Sequence, residues 1–519
     1  MSRYLRQQGL VDQDKLSSLR ILISGDVESL ADLIVLLEQL GASKKNSGKV
    51  GILCDNPTRP TSIFWKLAFS KINTFTELCH YHPLRYELID SNEIDILRWD
   101  VHLAFNSTFR HVKTIYGKNW GARAIVSTSP IPSSLDMTEI SALTPFSRIM
   151  AGAALLELMI EQLGLKHKTQ VSGSWFTITS RIETTNMEEA SQHVKAKGGL
   201  PVSYHPTEDG LGILCRVRIP TPEGLDPFDF LQFEKHQSTQ TLSQTTRDVG
   251  FLPWDSPKSN YEQIVHSDPS NFTILGAGGL GSWSIPLLVH SLNQGKITVV
   301  DSDLSIDEHN LNRQVLYNEK HLGMPKARVA VQRLQELNSC IEIEGFVEQL
   351  CLGHVKKHDD DIGAKIDDIE LDDDESSPLV ERLKEKSVYL GCLDNMRARS
   401  ILNHIALRNQ CVMVNGGTES TDGIVEIFGE QGCMVCRYGK ETAHSIEVIS
   451  CTEEGSRPIS SIVTSSAWTG AMMAMFAFLS ANSVAVSNFN RMLWSGGSSS
   501  SQSVLGKPPW YDEDCLCHI

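Results

Sequence analysis

Positive charge is in short supply in this sequence. Its 519 residues carry 47 Lys and Arg against 63 Asp and Glu, a formal net charge of −16. Such a surface repels phosphate backbones and anionic bilayers, so neither nucleic acid nor membrane is expected as a main partner. Regular cysteine spacing is also missing. Twelve cysteines without a repeating interval do not make a secreted disulfide framework. They fit a reducing, cytoplasmic setting in which paired thiols serve a metal or catalysis. Residues 1–10 offer no charged-then-apolar leader, and no secretory signal is expected. Long apolar runs are scarce. The one candidate, 467–486 ("AWTGAMMAMFAFLSANSVAV"), is broken by small and polar residues and lacks a basic flank, so it reads as a buried helix.

What is present is ordinary for a soluble globular chain: 41% hydrophobic and 21% charged residues. The length exceeds one core, and two or three domains are expected. Residues 1–165 alternate strands such as "RILISGD" and "KVGILCD" with helices such as "LADLIVLLEQLG" and "SRIMAGAALLELMIEQLG". Residues 166–271 hold short alternating runs ("SWFTITSRI", "GILCRVRIP") among Pro, Gly and Thr, the pattern of a small β-rich module. A second α/β unit occupies 272–486, interrupted near 354–378 by an acidic tract that reads as a solvated loop. Residues 487–519 begin as a Ser/Gly-rich flexible tail and end in two cysteines.

The second unit carries a nucleotide signature. Gly276, Gly278, Gly279 and Gly281 form a G-x-G-G-x-G turn between a strand and a helix. Glycine lets backbone approach phosphate, and a helix N-terminus favours an anion. Asp301 ends the next strand, where an acid can bond ribose hydroxyls, and Asp303 follows. NAD, FAD and ATP all suit such a unit, as does a merely tight turn. The next stretch separates them. "DEHNLNRQVLYNEKHLGMPKAR" brings Asn310, Arg313, Gln314 and Lys326 close in sequence to the acid. A nicotinamide pocket does not need converging cations, whereas attack on a triphosphate builds charge on the departing pyrophosphate. "VYLGCLDNMRAR" then sets Asp394 and Asn395 at a strand end leading into a helix. There an aspartate can hold Mg²⁺ or simply cap the helix.

With "GAGGLGS", "GKITVVDSD", "NLNRQ", "MPKA", "CLDNMRAR", "VNGGTES" and "GCMVC" in this order, residues 272–485 resemble the ThiF/MoeB-type adenylating fold, shared by ubiquitin-activating enzymes and activators of sulfur-carrier proteins. The resemblance implies two Rossmann-like α/β folds, with Asp301 toward ribose, Asp303 among the cofactor-binding residues, and Asn310, Arg313, Gln314 and Lys326 toward the phosphates. It also implies Asp394, beside Asn395, on Mg²⁺, with Arg399 in support. The opening "SRYLRQQGL" is similar to the family's own start, but "GDVESLAD" stands where the glycine turn belongs, and "LAFNSTFRH" where the Asp-Asn belongs. Residues 1–165 therefore look like a second copy without a nucleotide site. In ubiquitin-type activators, an arginine of the inactive half reaches into the other half's ATP site. Arg6 matches it by position, and the two halves would form a pseudo-dimer within a monomer.

Cys433 and Cys436 ("CMVC") fit zinc or a redox dithiol. By the resemblance, Cys515 and Cys517 would complete a structural Zn²⁺ site, with His518 as an adjacent alternative. Cys451, followed by Thr452, occupies the crossover stretch where the family places its thioester cysteine. Cys392 lies within a strand and reads as core. The expectation is thus ATP-dependent activation of the C-terminal carboxylate of a ubiquitin-like protein. Adenylation would precede thioester formation on Cys451 and transfer to a conjugating enzyme. The rivals are adenylation without a thioester, serving sulfur transfer or a small-molecule or tRNA carboxylate, and a non-catalytic scaffold.

Overall fold

The computed structural model describes residues 3–7, 10–54, 57–91, 94–95, 98–107, 109, 114–131, 141–166, 175–182, 199–207, 210–218, 246–248, 270–350, 355–357, 369–371, 378–429, 432–438, 461–482, 491–495 and 498–502. In chain order, the first half runs α1 (Gln13–Ser18), β1 (Arg20–Gly25), α2 (Val27–Leu40), β2 (Lys49–Leu53), α3 (Ile63–Ala68), α4 (Phe75–Tyr81) and β3 (Tyr86–Leu88). It continues with β4 (Val101–Phe105), β5 (Thr114–Trp120), β6 (Arg123–Ser127) and α5 (Thr144–Gln162). Next come β7 (Trp175–Ile182), β8 (Gly199–Thr207), β9 (Gly210–Arg218) and β10 (Thr246–Asp248). The second half comprises β11 (Ser270–Leu275), α6 (Gly281–Ser291), β12 (Gly295–Val300), α7 (Lys326–Gln335), β13 (Ile341–Phe346), β14 (Val355–Lys357) and β15 (Ile369–Leu371). After them follow α8 (Pro378–Lys384), β16 (Val388–Gly391), α9 (Met396–Arg408), β17 (Met413–Glu419), β18 (Asp422–Phe428), α10 (Met434–Tyr438), α11 (Val463–Ala481), β19 (Arg491–Ser495) and β20 (Ser498–Gln502).

Both large sheets obey one plan. The first has the order β3-β2-β1-β4-β5-β6-β10, the second β13-β12-β11-β16-β17-β18-β19-β20. In each, the first five strands are parallel and the rest antiparallel. Leaving aside the β14–β15 hairpin, each half winds its strands 3-2-1-4-5, the Rossmann-like order that opens a crevice where the winding reverses. Strands such as β1 ("RILISG") are buried along most of their length, as parallel strands covered on both faces must be.

The halves share one apolar interior, since a single cluster of buried side chains draws on both. Its centre is α11 against α5. The apolar segment expected at 467–486 is this helix, shifted to 463–481, and it is buried along nearly its whole length. Phe146 meets Phe478 with ring centroids 5.6 Å apart, and Phe64 meets Trp283 at 4.8 Å. Across the same seam, Glu157, fully buried, accepts from Thr464 Oγ1 at 2.7 Å and pairs with Lys166 Nζ at 2.7 Å. No helix among the described residues is long and apolar enough to cross a membrane.

Two departures from the sequence reading concern boundaries. The stretch 487–519 is not wholly a flexible tail. Residues 491–495 and 498–502 add β19 and β20 to the second sheet, where Met492 and Trp494 alternate inward and Trp494 stacks on Trp468 at 5.1 Å. Within 166–271, β7, β9 and β8 form an antiparallel sheet, but β10 instead pairs with β6 on the first large sheet.

Candidate functional site

The glycine turn sits where the second sheet's winding reverses, between β11 and its neighbour β16. Gly276 has φ +98°, and a Cβ there would stand 2.3 Å from the Cys392 carbonyl oxygen. A Cβ on Gly281 would stand 2.0 Å from the Gly276 oxygen. These two glycines are required by close backbone approach. Gly278 and Gly279 are different: an added Cβ would meet Gln314 Nε2 at 3.8 Å in the first case, and Arg313 Nε and Ser466 Oγ at 3.5 Å in the second. Their lack of side chains keeps space open rather than relieving a clash. The helix that follows, α6, has no side-chain N-cap bond, and Ser282 N and Trp283 N donate to Gly278 O and Leu280 O, both at 3.0 Å, so its N-terminus offers an anion chiefly the helix dipole.

Acids and cations surround the turn. Asp301 fastens it: Oδ2 accepts from Ala277 N at 2.6 Å, and Oδ1 from Asp303 N at 2.8 Å. Burial pushes its carboxyl upward in pKa, against the pull of Lys326 and these two N–H groups. Lys326 Nζ, at the start of α7, pairs with Asp303. Tyr317 ties the turn to α7, donating to Ala277 O at 2.8 Å and Lys326 O at 3.3 Å. Arg313 Nη1 donates to His309 O at 2.9 Å and Asn312 Oδ1 at 3.0 Å. Asn310 is spent on its own short helix, where its Oδ1 accepts from Asp307 N at 2.9 Å. Gln314 is 2% exposed, and its Oε1 has no hydrogen-bond partner among the described residues. A buried orphan acceptor beside an open glycine pair fits a bound polar ligand.

The other half contributes directly. Arg6, 5% exposed, brings Nη2 to 3.5 Å from His309 Nε2. Arg3 Nη2 donates to Leu311 O at 3.1 Å, Asn312 Nδ2 to Gln7 Oε1 at 3.4 Å, and Ser461 N to Arg6 O at 2.8 Å. The sequence reading overlooked His309. Its ring meets Arg6 while its carbonyl holds Arg313, so one residue spaces cations from both halves. Burial, then the Arg6 and Arg313 charges, pull its pKa down to about 4, and the ring is neutral near pH 7. No local pattern reveals this, because Arg6 lies 303 positions away.

Across the crevice, Asp394 is exposed at the end of β16, and its Oδ1 accepts from Asn395 Nδ2 at 3.2 Å. Asn395 is also the N-cap of α9, accepting from Ala398 N at 2.8 Å. An exposed carboxylate two residues from Cys392, whose carbonyl closes on Gly276, suits a hydrated Mg²⁺, which takes one or two protein carboxylates and keeps several waters. Cys392 packs behind Gly276 and is half-buried one residue past β16, not inside the strand as core, where the sequence reading placed it; burial pushes its thiol up to about 12, away from reactivity. Cys433 and Cys436 bring their sulfurs to 3.5 Å, near the roughly 3.8 Å that tetrahedral Zn–S bonds impose. Among the described residues no group of three or more His, Cys, Asp or Glu is arranged to hold a metal. Cys451, Cys515 and Cys517 lie outside the described residues.

The first half shows the same crevice closed. A Cβ on Gly25 would stand 2.0 Å from Phe105 O, as Gly276 does over Cys392. However, α2 begins two residues after Gly25, whereas α6 begins five after Gly276, so the phosphate-wrapping turn is missing. Asp26 caps α2, accepting from Ser29 N at 2.9 Å and Ser29 Oγ at 2.7 Å. Asn106 Nδ2 donates to Asp26 Oδ2 at 3.1 Å and to Asn119 Oδ1 at 2.9 Å. A built-in carboxylate occupies the helix N-terminus that a phosphate would need.

Residues 257–494, the stretch containing this open crevice, match the ThiF family. This part of the chain is a ThiF-family domain. Among similar proteins, the sulfur carrier protein adenylyltransferase of Thermus thermophilus is 30% identical over 36% of this chain and 61% of its own length. The adenylyltransferase and sulfurtransferase UBA4 of Meyerozyma guilliermondii is 32% identical over 35% of this chain and 37% of its own. The ubiquitin-activating enzyme E1-like protein of Saccharomyces cerevisiae is 28% identical over 37% of this chain and 27% of its own. The chain thus spans less than two thirds of each relative.

Proposed function

We propose that the ThiF domain adenylates the C-terminal carboxylate of a small carrier of the ubiquitin-like or sulfur-carrier kind. The observation that carries this reading is the open Gly278–Gly279 pair beside Gln314 and Arg313, with Lys326 paired to Asp303 and Arg6, from the other half, reaching the His309 that holds Arg313. A carboxylate oxygen attacks the α-phosphorus of ATP, the bond to the β-phosphate oxygen breaks, and pyrophosphate leaves with an acyl adenylate remaining. Arg6, Arg313 and Lys326 offset the charge that gathers on pyrophosphate. For Lys326 this requires exchanging Asp303 for a phosphate oxygen. Asp301 addresses the ribose. Asp394, with Asn395 beside it, would hold Mg²⁺, which would supply positive charge against the phosphates.

In the finer reading the carrier is ubiquitin-like, and Cys451 takes the acyl group. Its thiolate attacks the adenylate carbonyl and AMP departs, leaving a thioester for a conjugating enzyme. Support comes from the "SCT" crossover sequence and from the ubiquitin-activating relative. The sulfur-carrier reading is favoured by the Thermus thermophilus and UBA4 relatives and stops at the adenylate or passes it to sulfur. In either case residues 1–165 serve as a nucleotide-free counterpart that delivers Arg6, so one chain suffices as an internal pseudo-dimer. Zn²⁺ on Cys433 and Cys436, completed by Cys515 and Cys517, would be structural, and the setting cytoplasmic.

Pyrophosphate exchange with a panel of ubiquitin-like and sulfur-carrier proteins tests the core of this. Carrier-dependent exchange that Asp394→Ala abolishes is expected, and exchange with no carrier at all would refute it. A thiol-sensitive carrier adduct on a non-reducing gel, lost in Cys451→Ala, selects the thioester route. Exchange without that adduct selects the sulfur-carrier route.

A further inference from the structure

We propose that Glu426 and Tyr438 are positioning residues for the Asp394 loop, acting through Arg399. The inference rests on reading Asp394 as the metal-holding acid. It starts from a costly feature, the fully buried carboxylate of Glu426 on β18, since an enclosed ion loses several kcal/mol of hydration, about as much as it recovers from good partners. Three elements supply those partners. Asn415, its register partner on β17, donates Nδ2 to Glu426 Oε2 at 3.1 Å. The Tyr438 hydroxyl, at the end of α10, donates to the same oxygen. Arg399, in the first turn of α9, adds its positive charge across the shared face of β17, where Gly417 beneath its guanidinium stands two residues from Asn415.

Arg399 carries the arrangement to the site. Its Nη2 donates to the carbonyl of Leu393, the residue immediately before Asp394. Its Nη1 lies over β17, where a Cβ on Gly417 would come within 3.3 Å. Two residues separate the last pair of β16, at Gly391, from Asp394, and helix α9 begins at Met396. The bond to Leu393 O therefore fixes the direction in which this short link leaves the sheet. The order is then a Tyr438 hydroxyl bonded to the Glu426 carboxylate, that carboxylate attracting the Arg399 guanidinium across the face of β17, and Arg399 bonded to the Leu393 carbonyl beside Asp394. Its Tyr438 end is the helix that contains Cys436 and starts beside Cys433. None of Tyr438, Glu426 or Arg399 needs to touch phosphate, so their effect is on where Asp394 stands, not on the chemical step.

The test uses the full chain, Mn²⁺ as the probe and a non-hydrolysable ATP analogue, with bound metal read by electron paramagnetic resonance. Tyr438→Phe keeps the ring and removes one hydrogen bond, and it is expected to weaken Mn²⁺ binding roughly threefold to tenfold. Glu426→Gln is expected to do the same, with the melting temperature of the metal-free protein little changed. The decisive measurement is the double-mutant cycle: in an Asp394→Ala background, Tyr438→Phe should produce no further loss. Equal losses in both backgrounds, or a lower melting temperature with unaltered Mn²⁺ affinity, would reduce the cluster to ordinary core packing. If Asp394→Ala leaves Mn²⁺ affinity unchanged, the metal assignment falls and takes this inference with it. If Asp394→Ala weakens binding and Tyr438→Phe does not, the positioning path alone is overturned.

Discussion

Gly278→Ala separates folding from nucleotide binding. The added methyl meets only Gln314 Nε2 at 3.8 Å, an ordinary contact, and Gly278 is not among the glycines with positive φ. Stability should therefore stay within about 0.5 kcal/mol of wild type. The methyl nevertheless projects into the space before α6. A phosphate oxygen bonds a backbone N–H at about 2.9 Å, whereas carbon and oxygen approach only to about 3.3 Å. The phosphate is displaced, and losing one charge-assisted bond costs about 1.5–3 kcal/mol, roughly tenfold to 150-fold in affinity. Calorimetric titration reads this directly, and the ATP-induced stability shift confirms it. At 100 times the wild-type Kd, ATP adds about 2.7 kcal/mol, which falls to about 0.4 kcal/mol if Kd rises 100-fold. Gly276→Ala provides the contrast, because φ +98° and a 2.3 Å approach to Cys392 O make it a folding defect. A Gly278→Ala protein that binds ATP like wild type would show that phosphates do not lie in this turn.

Arg6→Ala should lower pyrophosphate exchange about 10²- to 10³-fold, the usual loss for one charge-stabilising donor. The Arg3, Gln7 and Ser461 contacts keep the segment docked, and a change below threefold would remove Arg6 from the site. Asp26→Ala should cost about 1–2 kcal/mol in urea unfolding as a lost helix cap, with exchange unaffected. A parallel loss of ATP affinity would mean that the first half binds nucleotide. His309 sets a pH dependence. Its folded pKa, about 4, lies below the ordinary 6.5, held there by burial and by Arg6, Arg313 and Lys326 against Asp307. The unfolded chain then binds the proton first, so stability falls as pH drops from 6.5 toward 4 and is unaffected above that window. His309→Gln should flatten that decline in urea midpoints. An unchanged slope would refute the burial argument.

Much of the site was legible because its demands are local. Phosphate approach, a tight strand-to-helix turn and an acid at the next strand end write themselves into adjacent positions, as Gly276 to Gly281 and Asp301 do. The missing turn of the first half was equally visible, since a capping aspartate replaces glycines at one place. What escaped were partnerships between distant positions. His309 gains its role from Arg6, and Glu426 from Arg399 and Tyr438, none of which any periodicity links. Residues 498–502 are a run of serines and a glutamine that reads as linker. They become a strand because β19 offers open hydrogen-bonding groups, and pairing supplies what propensity lacks.

The seam between α5 and α11 has a consequence for how this protein can exist at all. Severed at the middle, each fragment would present a bare greasy helix to water, and neither would persist until it found its mate. Joining them in one polypeptide fixes the ratio of the half bearing Arg6 to the half bearing the glycine turn at synthesis. That ratio then holds at any dilution, which no assembly of separate subunits can guarantee.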